Sequence, residues 1–316
     1  MQAMQQSAEI SDQNIPEPGF SETDIPEIDI PEIDIMVCTI DAGIERVPGV
    51  LMPQRQGVGY VVAMQYTDKR YIEAVPDELR LRTDVTLIIN PGRGLCRNRN
   101  CALEAARREL LLVADDDTRL RPEGVDELRQ AYAKRPGLDI ALVRMADYEG
   151  RIFKTYPSGE ASLDEAMEGG YYAASVEMSM RRRVAEAGLR FDERFGLGAP
   201  HLCCGEEAVF LKDAQDNGFR IALLPIDVAR TQSATTGRRL ASDAKVQMSK
   251  GAALCYCEGL ARAVWLCLRA AARAMIVDKA NPLPIMARMA WGMWYVKHTR
   301  KNNGPAHNKT ARNGFS

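Results

Sequence analysis

The stretch LLLVADDDTRL, residues 110–120, joins a run of aliphatic side chains directly to three consecutive aspartates. The aliphatic run is typical of a strand that is buried on both faces, as in a parallel sheet. Three adjacent carboxylates repel one another and therefore favour a counter-ion. An Asp-rich turn that caps the next helix is the alternative interpretation. The triplet favours a functional site at the end of a strand.

Other short apolar runs surround this stretch, and helical patterns separate several of them. We predict strands at 33–40, 59–66, 85–90, 109–114 and 138–145, and helices from about residue 98 and over 121–134. Strands that alternate with helices indicate an α/β fold with a mostly parallel sheet flanked by helices. In such sheets ligands bind at the carboxyl ends of the strands, which is where the aspartates fall.

The pattern after residue 145 is less regular. We predict strands in RIFKTY (151–156) and GGYYAASVEMSM (169–180), a helix start at Arg181, a helix over 206–216 and a strand from Phe219. Asn217-Gly218 is a left-handed cap signal that ends the predicted helix.

Charge is distributed unevenly along the 316 residues, although the net charge is only -2. Residues 1–35 hold nine acidic residues and no Lys or Arg, whereas residues 230–316 hold fifteen Lys or Arg and three acids. Residues 1–32, with their DIPEIDIPEIDI repeat, are predicted to be a disordered acidic tail. Docking of this repeat as an edge strand is the alternative.

Targeting signals and cysteine use indicate the compartment. No signal peptide is visible, and no apolar run is long enough to span a bilayer. The eight cysteines form no CxxC pair, so reduced thiols are expected. The predicted location is cytoplasmic, with peripheral contact at the inner membrane face as an option.

The C-terminal part defines the remaining predicted units. The main domain is predicted over 33–244, a helical extension over 245–300 and a disordered tail over 301–316. Within the extension, Trp291, Trp294 and Tyr295 lie in sequence beside basic residues, as in helices that rest on a membrane surface. A helical pair that packs on the core with its charges in water is the equal alternative.

Two enzyme classes place Asp-x-Asp after an aliphatic strand. In phosphatases of the haloacid-dehalogenase type the motif is DxDx[TV] near the start of the domain. Here Arg119 occupies the Thr/Val position and the motif follows the fourth predicted strand, so the spacing excludes this class.

The second class is the inverting family-2 glycosyltransferases of the GT-A fold. GLCRNRNCALEAARRELLLVADDDTRL (94–120) resembles their "GL-ARN-A-E-A" helix and the strand that ends in the DxD signature. FDERFG (191–196) and GEEAVFLKDAQDNGFRIALLP (205–225) resemble their "FDE-F" and "GED--F" segments. The resemblance covers about residues 33–230 in the family's order. It implies hexosyl transfer from a nucleotide-sugar, a UDP-sugar being expected, to a glycan or lipid-linked acceptor in polysaccharide synthesis.

The resemblance also implies roles for the acidic residues. Asp115 and Asp117 match the pair that holds Mg2+ or Mn2+ on the donor diphosphate, and Asp116 would face the sugar or ribose. Glu207 aligns with the catalytic Asp that accepts the acceptor's proton, and Glu206 adjoins it. Both glutamates would also suit a helix start electrostatically, whichever one is catalytic.

Further residues match donor-binding positions of the family, with some departures. The candidates are Thr39, Asp41, Gln65 (where the family has an acid), Arg97, Arg99 and Asn100. Many relatives carry a His after the strand at 219–225, which is missing here. His201 is the candidate for a third metal ligand, and Arg230, Arg238 and Arg239 are an alternative source of positive charge for the leaving group.

Three other functions would require different residues or would need no catalysis. A sugar nucleotidyltransferase would need a GxGTR-type loop after the first strand, which MVCTIDAGIERV (36–47) lacks. A nucleic-acid partner is not expected, because the basic C-terminus lacks a sheet with stacking aromatics. The alternative that remains is a non-catalytic GT-A-like module that binds a nucleotide or a partner.

Overall fold

The computed structural model describes residues 29–152, 154–231, 239–299 and 301. Its nine strands form one sheet. They are β1 (Ile33–Ile40), β2 (Val58–Tyr66), β3 (Val85–Pro91), β4 (Leu110–Asp115), β5 (Arg119–Leu120), β6 (Ile140–Ala146), β7 (Ala161–Ser162), β8 (Met178–Arg181) and β9 (Ile221–Arg230).

The strand order is β3-β2-β1-β4-β8-β6-β9-β5, and β7 pairs with β9. β1 is parallel to β2 and β4, β2 is parallel to β3, and β6 is parallel to β9. β8 lies antiparallel between β4 and β6, so β6 and β9 run in the direction of β1 to β4. The short strands β5 and β7 run the other way. The predicted mostly parallel, mixed sheet is confirmed.

Ten α-helices and two 3₁₀ helices are present in the described ranges. The α-helices are α1 (Arg70–Glu73), α2 (Asp77–Leu81), α3 (Leu95–Ala105), α4 (Pro122–Ala133), α5 (Leu163–Glu168), α6 (Arg182–Glu186), α7 (Glu206–Asp216), α8 (Ala244–Glu258), α9 (Leu260–Asp278) and α10 (Pro282–His298). The 3₁₀ helices are Asp41–Val50 and Ser175–Glu177.

Helices cover both faces of the sheet because its strands are apolar on both sides. Ile33, Ile35 and Val37 of β1 pack in one cluster with α4 and the 3₁₀ helix at 41–50. Met36 and Cys38, which alternate with them, pack in a second cluster with α3 and α7. This period of two on a doubly covered strand explains why β1 reads as a continuous apolar run.

The C-terminal helices pack on the region that contains α7. Phe195, Leu202 and Val209 share an apolar cluster with side chains of α8, α9 and α10. Gly251 of α8 lies so near α10 that an added Cβ would be 2.1 Å from the Met289 carbonyl oxygen. Arg194 donates hydrogen bonds to the Val296 carbonyl at 3.0 Å and to the Thr299 carbonyl at 2.6 Å. No helix of the described residues is both long and apolar enough to cross a bilayer.

The strands predicted in the irregular region are largely wrong. The described residues of 151–156 form no strand, and of 169–180 only residues 178–180 belong to a strand. Tyr156 and Lys154 instead bond through their side chains to Glu177. Side-chain bonds thus replace the backbone ladder that the β-rich sequence suggested.

Several element starts also differ from the prediction by one to three residues. α3 begins at Leu95, three residues before the predicted start, and β9 begins at Ile221 rather than Phe219. The Phe219 amide donates to the Ala214 carbonyl at 3.0 Å, which closes the end of α7 before β9 begins.

The predicted terminal tails lie almost entirely outside the described residues. Residues 1–28 and 302–316 are not described, so their disorder and the edge-strand alternative stay predictions. The described residues 29–32 are not in a strand. The Glu32 carbonyl accepts from the Leu110 amide at 2.9 Å, and the Pro31 carbonyl accepts from Arg129 at 2.9 Å. The proposed boundary between a main domain and an extension at 244/245 also stays a prediction.

Candidate active site

The carboxyl ends of β1, β2 and β4 meet at one edge of the sheet. In the parallel ladders Cys38 pairs with Asp115 and Ile40 pairs with Gln65, so Thr39, Gln65 and Asp115 end side by side. Thr39 and Gln65 are both buried. The strand order therefore assembles residues that the sequence analysis chose on three separate strands.

Asp116 is held by one residue at the end of β1 and one in the 3₁₀ helix that follows it. It accepts a hydrogen bond from the Thr39 hydroxyl at 2.6 Å and from Arg46 Nη2 at 2.7 Å. Gly43 lies against this contact, since an added Cβ would be 2.3 Å from Asp116 Oδ2. Arg46 was not predicted as a site residue. Its only indication in the sequence is a basic residue shortly after the first strand.

Asp41 holds the loop after β2. Its carboxylate accepts from the Thr67 amide at 2.7 Å and from the Thr67 hydroxyl at 2.9 Å. Its backbone φ is 51°, in the left-handed region that Asp tolerates better than most residues. The side chain of Asp41 thus joins the carboxyl ends of β1 and β2.

Arg99 is the centre of a buried ionic network. Its side chain is 1% exposed, and it pairs with Asp115 and Glu206 at 3.2 Å each. The guanidinium also lies over the Phe191 ring, 5.4 Å from its centroid. Burial opposes the charge, but Asp115 and Glu206 outweigh it and raise the pKa of Arg99. One side chain of α3 therefore joins the end of β4 to the start of α7.

Two asparagines of α3 fix the surrounding backbone. Asn98 donates to the Thr39 carbonyl at 3.1 Å and to the Ala63 carbonyl at 2.7 Å. Asn100 donates to the Phe191 carbonyl at 3.0 Å and accepts from the Phe191 amide at 2.9 Å. Asn98 was missed, and its signal was a polar residue on the buried face of a helix. Arg97, in contrast, is exposed.

Glu206 and Glu207 are the first two residues of α7, after Gly205 with φ 97°. Glu206 is 5% exposed, and its Oε2 has no hydrogen-bond partner among the described residues. Glu207 is partly exposed. Burial and then the charge of Glu206 raise the pKa of Glu207 to about 8. Burial also raises the pKa of Asp115, which Arg99 lowers and Asp117 and Asp116 raise further.

His201 is placed against α10. Its exposed ring lies 5.2 Å from the Trp291 ring centroid and 5.1 Å from that of Tyr295. Within the described ranges, no group of three or more His, Cys, Asp or Glu side chains is arranged to hold a metal ion. The structure thus does not bring His201 together with Asp115 and Asp117, although the two aspartates stand in one turn.

A cleft of about 690 Å³ opens beside the start of α3. It is lined by Arg93, Leu197, Gly198, Ala199, Pro200, Cys203, Arg239, Asp243 and Lys245. Arg239 pairs with Asp243 at 3.5 Å, and Arg230 donates to the Tyr148 carbonyl at 3.4 Å. Arg238, the third arginine considered for the leaving group, lies outside the described residues.

A buried Lys–Glu pair near the end of β4 was also missed. Lys154 Nζ lies 2.6 Å from Glu177 Oε2, which also accepts from Tyr171 at 2.9 Å and from the Ala174 amide at 2.7 Å. Burial lowers the pKa of Lys154, and Glu177 opposes this shift. No local pattern in the sequence indicates a contact between these distant residues.

The curled sheet, with acidic residues at its carboxyl edge and helices on both faces, has the architecture of a GT-A-type domain. Residues 69–197 match the family model described as Glycosyl transferase family 2. The match identifies this segment as part of a glycosyltransferase domain.

Solved structures resemble this chain at low sequence identity. S. aureus TarS 1–349 has a TM-score of 0.52 and 15% identity, over 84% of this chain and 91% of that chain. The same fragment in complex with UDP-GlcNAc has a TM-score of 0.49 and 15% identity, over 78% and 73%. S. aureus TarS has a TM-score of 0.49 and 17% identity, over 78% of this chain and 44% of that chain. This chain therefore spans less than half the length of TarS. No curated protein matches this sequence significantly.

Proposed function

We propose that this glycosyltransferase moves a sugar from a UDP-sugar to a hydroxyl of a glycan or lipid-linked acceptor, with inversion at the transferred carbon. The observation that carries the proposal is the Arg99 network. It holds Asp115, at the strand end where the donor would lie, against Glu206, next to the proposed base. Donor binding and proton removal would thus share one edge of the sheet.

Glu207 is the proposed catalytic base. Glu206 pairs with Arg99 through Oε1 and is almost inaccessible, whereas Glu207 is partly exposed beside it. The raised pKa of Glu207 makes its carboxylate a stronger base than an ordinary glutamate. The carboxylate would accept the acceptor's hydroxyl proton while that oxygen bonds to the sugar carbon and the bond to the diphosphate breaks.

Asp115 and Asp117 are the proposed ligands of Mg2+ or Mn2+. Carboxylate oxygens suit both ions, and the remaining ligands would be diphosphate oxygens and water. Burial, and then repulsion by Asp117 and Asp116, raise the pKa of Asp115, and a bound cation would relieve the repulsion. When bound, the ion would neutralise the departing diphosphate. His201 is not needed in this ligand set.

The nucleotide would lie over the ends of β1 and β2. Thr39, Gln65 and Asp116 offer hydroxyl, amide and carboxylate groups there, which suit ribose and sugar hydroxyls. Asp41, Asn100 and Arg99 would shape this surface through the backbone and carboxylates that they hold. Arg97 is an exposed residue of α3, and we propose that it binds the donor diphosphate.

The test is a thermal-stability screen with a panel of nucleotide-sugars, with and without Mn2+, on wild type and Asp117→Asn. One donor should raise the melting temperature in a metal-dependent way, and Asp117→Asn should abolish the shift. Release of UDP with an acceptor should then be measured for wild type and Glu207→Gln. Metal-dependent binding without any turnover would favour the non-catalytic module, and no binding to any donor would contradict the proposal.

The cellular setting completes the proposal. We infer a role in polysaccharide synthesis in the cytoplasm, with contact at the inner membrane face through the C-terminal helical extension (245–300) and with no nucleic-acid partner. The acceptor class follows from that setting, because a lipid-linked glycan would be presented at the same surface.

A further inference from the structure

The outer face of α9 is apolar although it faces solvent. Val264, Trp265, Leu268, Met275 and Ile276 are between 42% and 64% exposed. A helix normally buries such apolar residues against a neighbouring element. In α9 the buried side consists instead of the small residues Ala263, Cys267, Ala271 and Ala274, which pack toward the other C-terminal helices.

The exposed side chains form ordered rows. Val264, Leu268 and Met275 follow each other at intervals of four and seven residues, and Trp265, Ala272 and Ile276 do so at seven and four. These spacings keep each row on one line along a helix. The apolar rows extend about 18 Å at 1.5 Å per residue, which is long enough to lie flat on a surface.

A cationic row borders the apolar rows. Arg262, Arg269 and Arg273 follow the same spacing of seven and four residues. Their row lies next to the row of Trp265, Ala272 and Ile276. Arg269 lies over the Trp265 ring, 4.6 Å from its centroid, so the two rows are in contact. Within α9 the only acidic residue is Asp278, at the last position.

We propose that this face of α9 docks on an anionic lipid bilayer. Apolar rows beside arginines match the boundary between acyl chains and negative headgroups, and Trp suits that depth. Arg262 is paired with Glu258 at 2.9 Å. A second copy of the chain would, however, bring Arg269 and Arg273 together, and the only acid of α9 is Asp278 at its last position. The surface uses no residue of the donor site, so the proposal does not depend on the transfer reaction.

This assignment moves the membrane contact from α10 to α9. Trp291 and Tyr295 of α10, which suggested the contact in the sequence, stack on each other at 5.1 Å and pack against His201. The tip of the α9–α10 hairpin adds Val277 and Leu283, which are 62% and 71% exposed. The docking surface is therefore the outer side of α9 and this tip.

The test is sedimentation of the full chain with vesicles of phosphatidylcholine alone or mixed with phosphatidylglycerol. Wild type should bind the mixed vesicles, weakly bind the neutral ones, and dissociate as salt rises. The double variant Trp265→Ser/Ile276→Ser should lower the partition coefficient at least tenfold. The control Leu81→Ser/Ile152→Ser changes two exposed apolar residues elsewhere and should bind as wild type does.

A second pair of variants tests the cationic row. Arg269→Gln/Arg273→Gln should lower binding to mixed vesicles several-fold, whereas Lys69→Gln/Lys134→Gln, with the same loss of charge at exposed sites, should not. Absence of wild-type binding to either vesicle would overturn the proposal. So would light scattering that shows a dimer which Trp265→Ser/Ile276→Ser dissociates, because the face would then bind a second copy.

Discussion

Two arginines in opposite environments, one buried and one exposed, hold neighbouring aspartates of the same triplet. Arg99 pairs with Asp115 with its side chain 1% exposed, whereas Arg46 pairs with Asp116 with its side chain 58% exposed. A buried charge that loses its partner is costly, but an exposed pair contributes little to stability. The comparison separates a fixed side of the site, around Arg99, from an adjustable side, around Arg46.

The largest effect is expected at Arg99. Arg99→Met should lower the free energy of unfolding by about 3–5 kcal/mol, because Glu206 would stay buried, and Asp115 partly buried, without their shared cation. Urea denaturation would measure the loss. Arg97→Met changes an exposed arginine of the same helix and should alter stability by less than about 0.5 kcal/mol. If Arg99→Met lowers the free energy of unfolding no more than Arg97→Met does, the proposed difference between the two sides is wrong.

The next effect concerns the proposed base on the fixed side. Because the pKa of Glu207 is about 8, its carboxylate is a minor form at pH 7 and its fraction grows as pH rises. The ratio kcat/KM should therefore increase toward a plateau above about pH 8. Glu207→Gln should lower kcat by roughly 10²–10⁴ and remove this rise. The reading is wrong if the variant keeps the wild-type pH profile.

Glu123→Gln is the matched control for Glu207→Gln, since Glu123 stands in the first turn of α4. It should leave kcat and its pH dependence unchanged. The same raised pKa has a consequence for stability. The folded state favours protonated Glu207, so wild type should lose stability relative to Glu207→Gln as pH rises from about 5 to 8.

A smaller effect is expected where the loop after β1 meets Asp116. Gly43→Ala would place a methyl group on the contact between Thr39 and Asp116, so both side chains would have to move. We expect a rise of about three- to tenfold in the Kd for the donor, which corresponds to about 0.7–1.4 kcal/mol. Gly49→Ala lies in the same 3₁₀ helix with nothing within 4 Å of the added Cβ and should leave the Kd unchanged.

The smallest effect on stability is expected at Arg46. Arg46→Ala should change the free energy of unfolding by about 0–1 kcal/mol, because its pair with Asp116 is exposed. Arg135→Ala removes an exposed pair with Glu160 before the start of β6 and should match it in stability. Only Arg46→Ala should raise the KM for the donor. Equal KM values in both variants would show that the adjustable side has no part in binding.

The sequence predicted those parts of the molecule whose signals are local. β1 was bounded correctly at 33–40, and α7 at 206–216 follows from its acidic start and its Asn-Gly end. Parallel strand order then brought Thr39, Gln65 and Asp115 to one edge, as expected. These features depend on a few consecutive residues and on general rules of sheet topology.

The contacts that sequence analysis missed join residues far apart in the chain. Arg99 was chosen as a donor contact, but its partner Glu206 is 107 positions away. Asn98 and the Lys154–Glu177 pair are likewise recognisable only once the strands have been placed. Periodicity cannot show which buried polar side chains find one another, because that depends on tertiary packing.

The bond from Arg194 to α10 has a consequence for protein synthesis. Arg194 precedes the proposed base by only a short loop, yet its carbonyl partners Val296 and Thr299 are translated much later. At about 5–20 residues per second, several seconds separate the two segments on the ribosome. The nascent glycosyltransferase would therefore hold an incomplete support for α7 until α10 has emerged, and transfer activity should appear only after that moment.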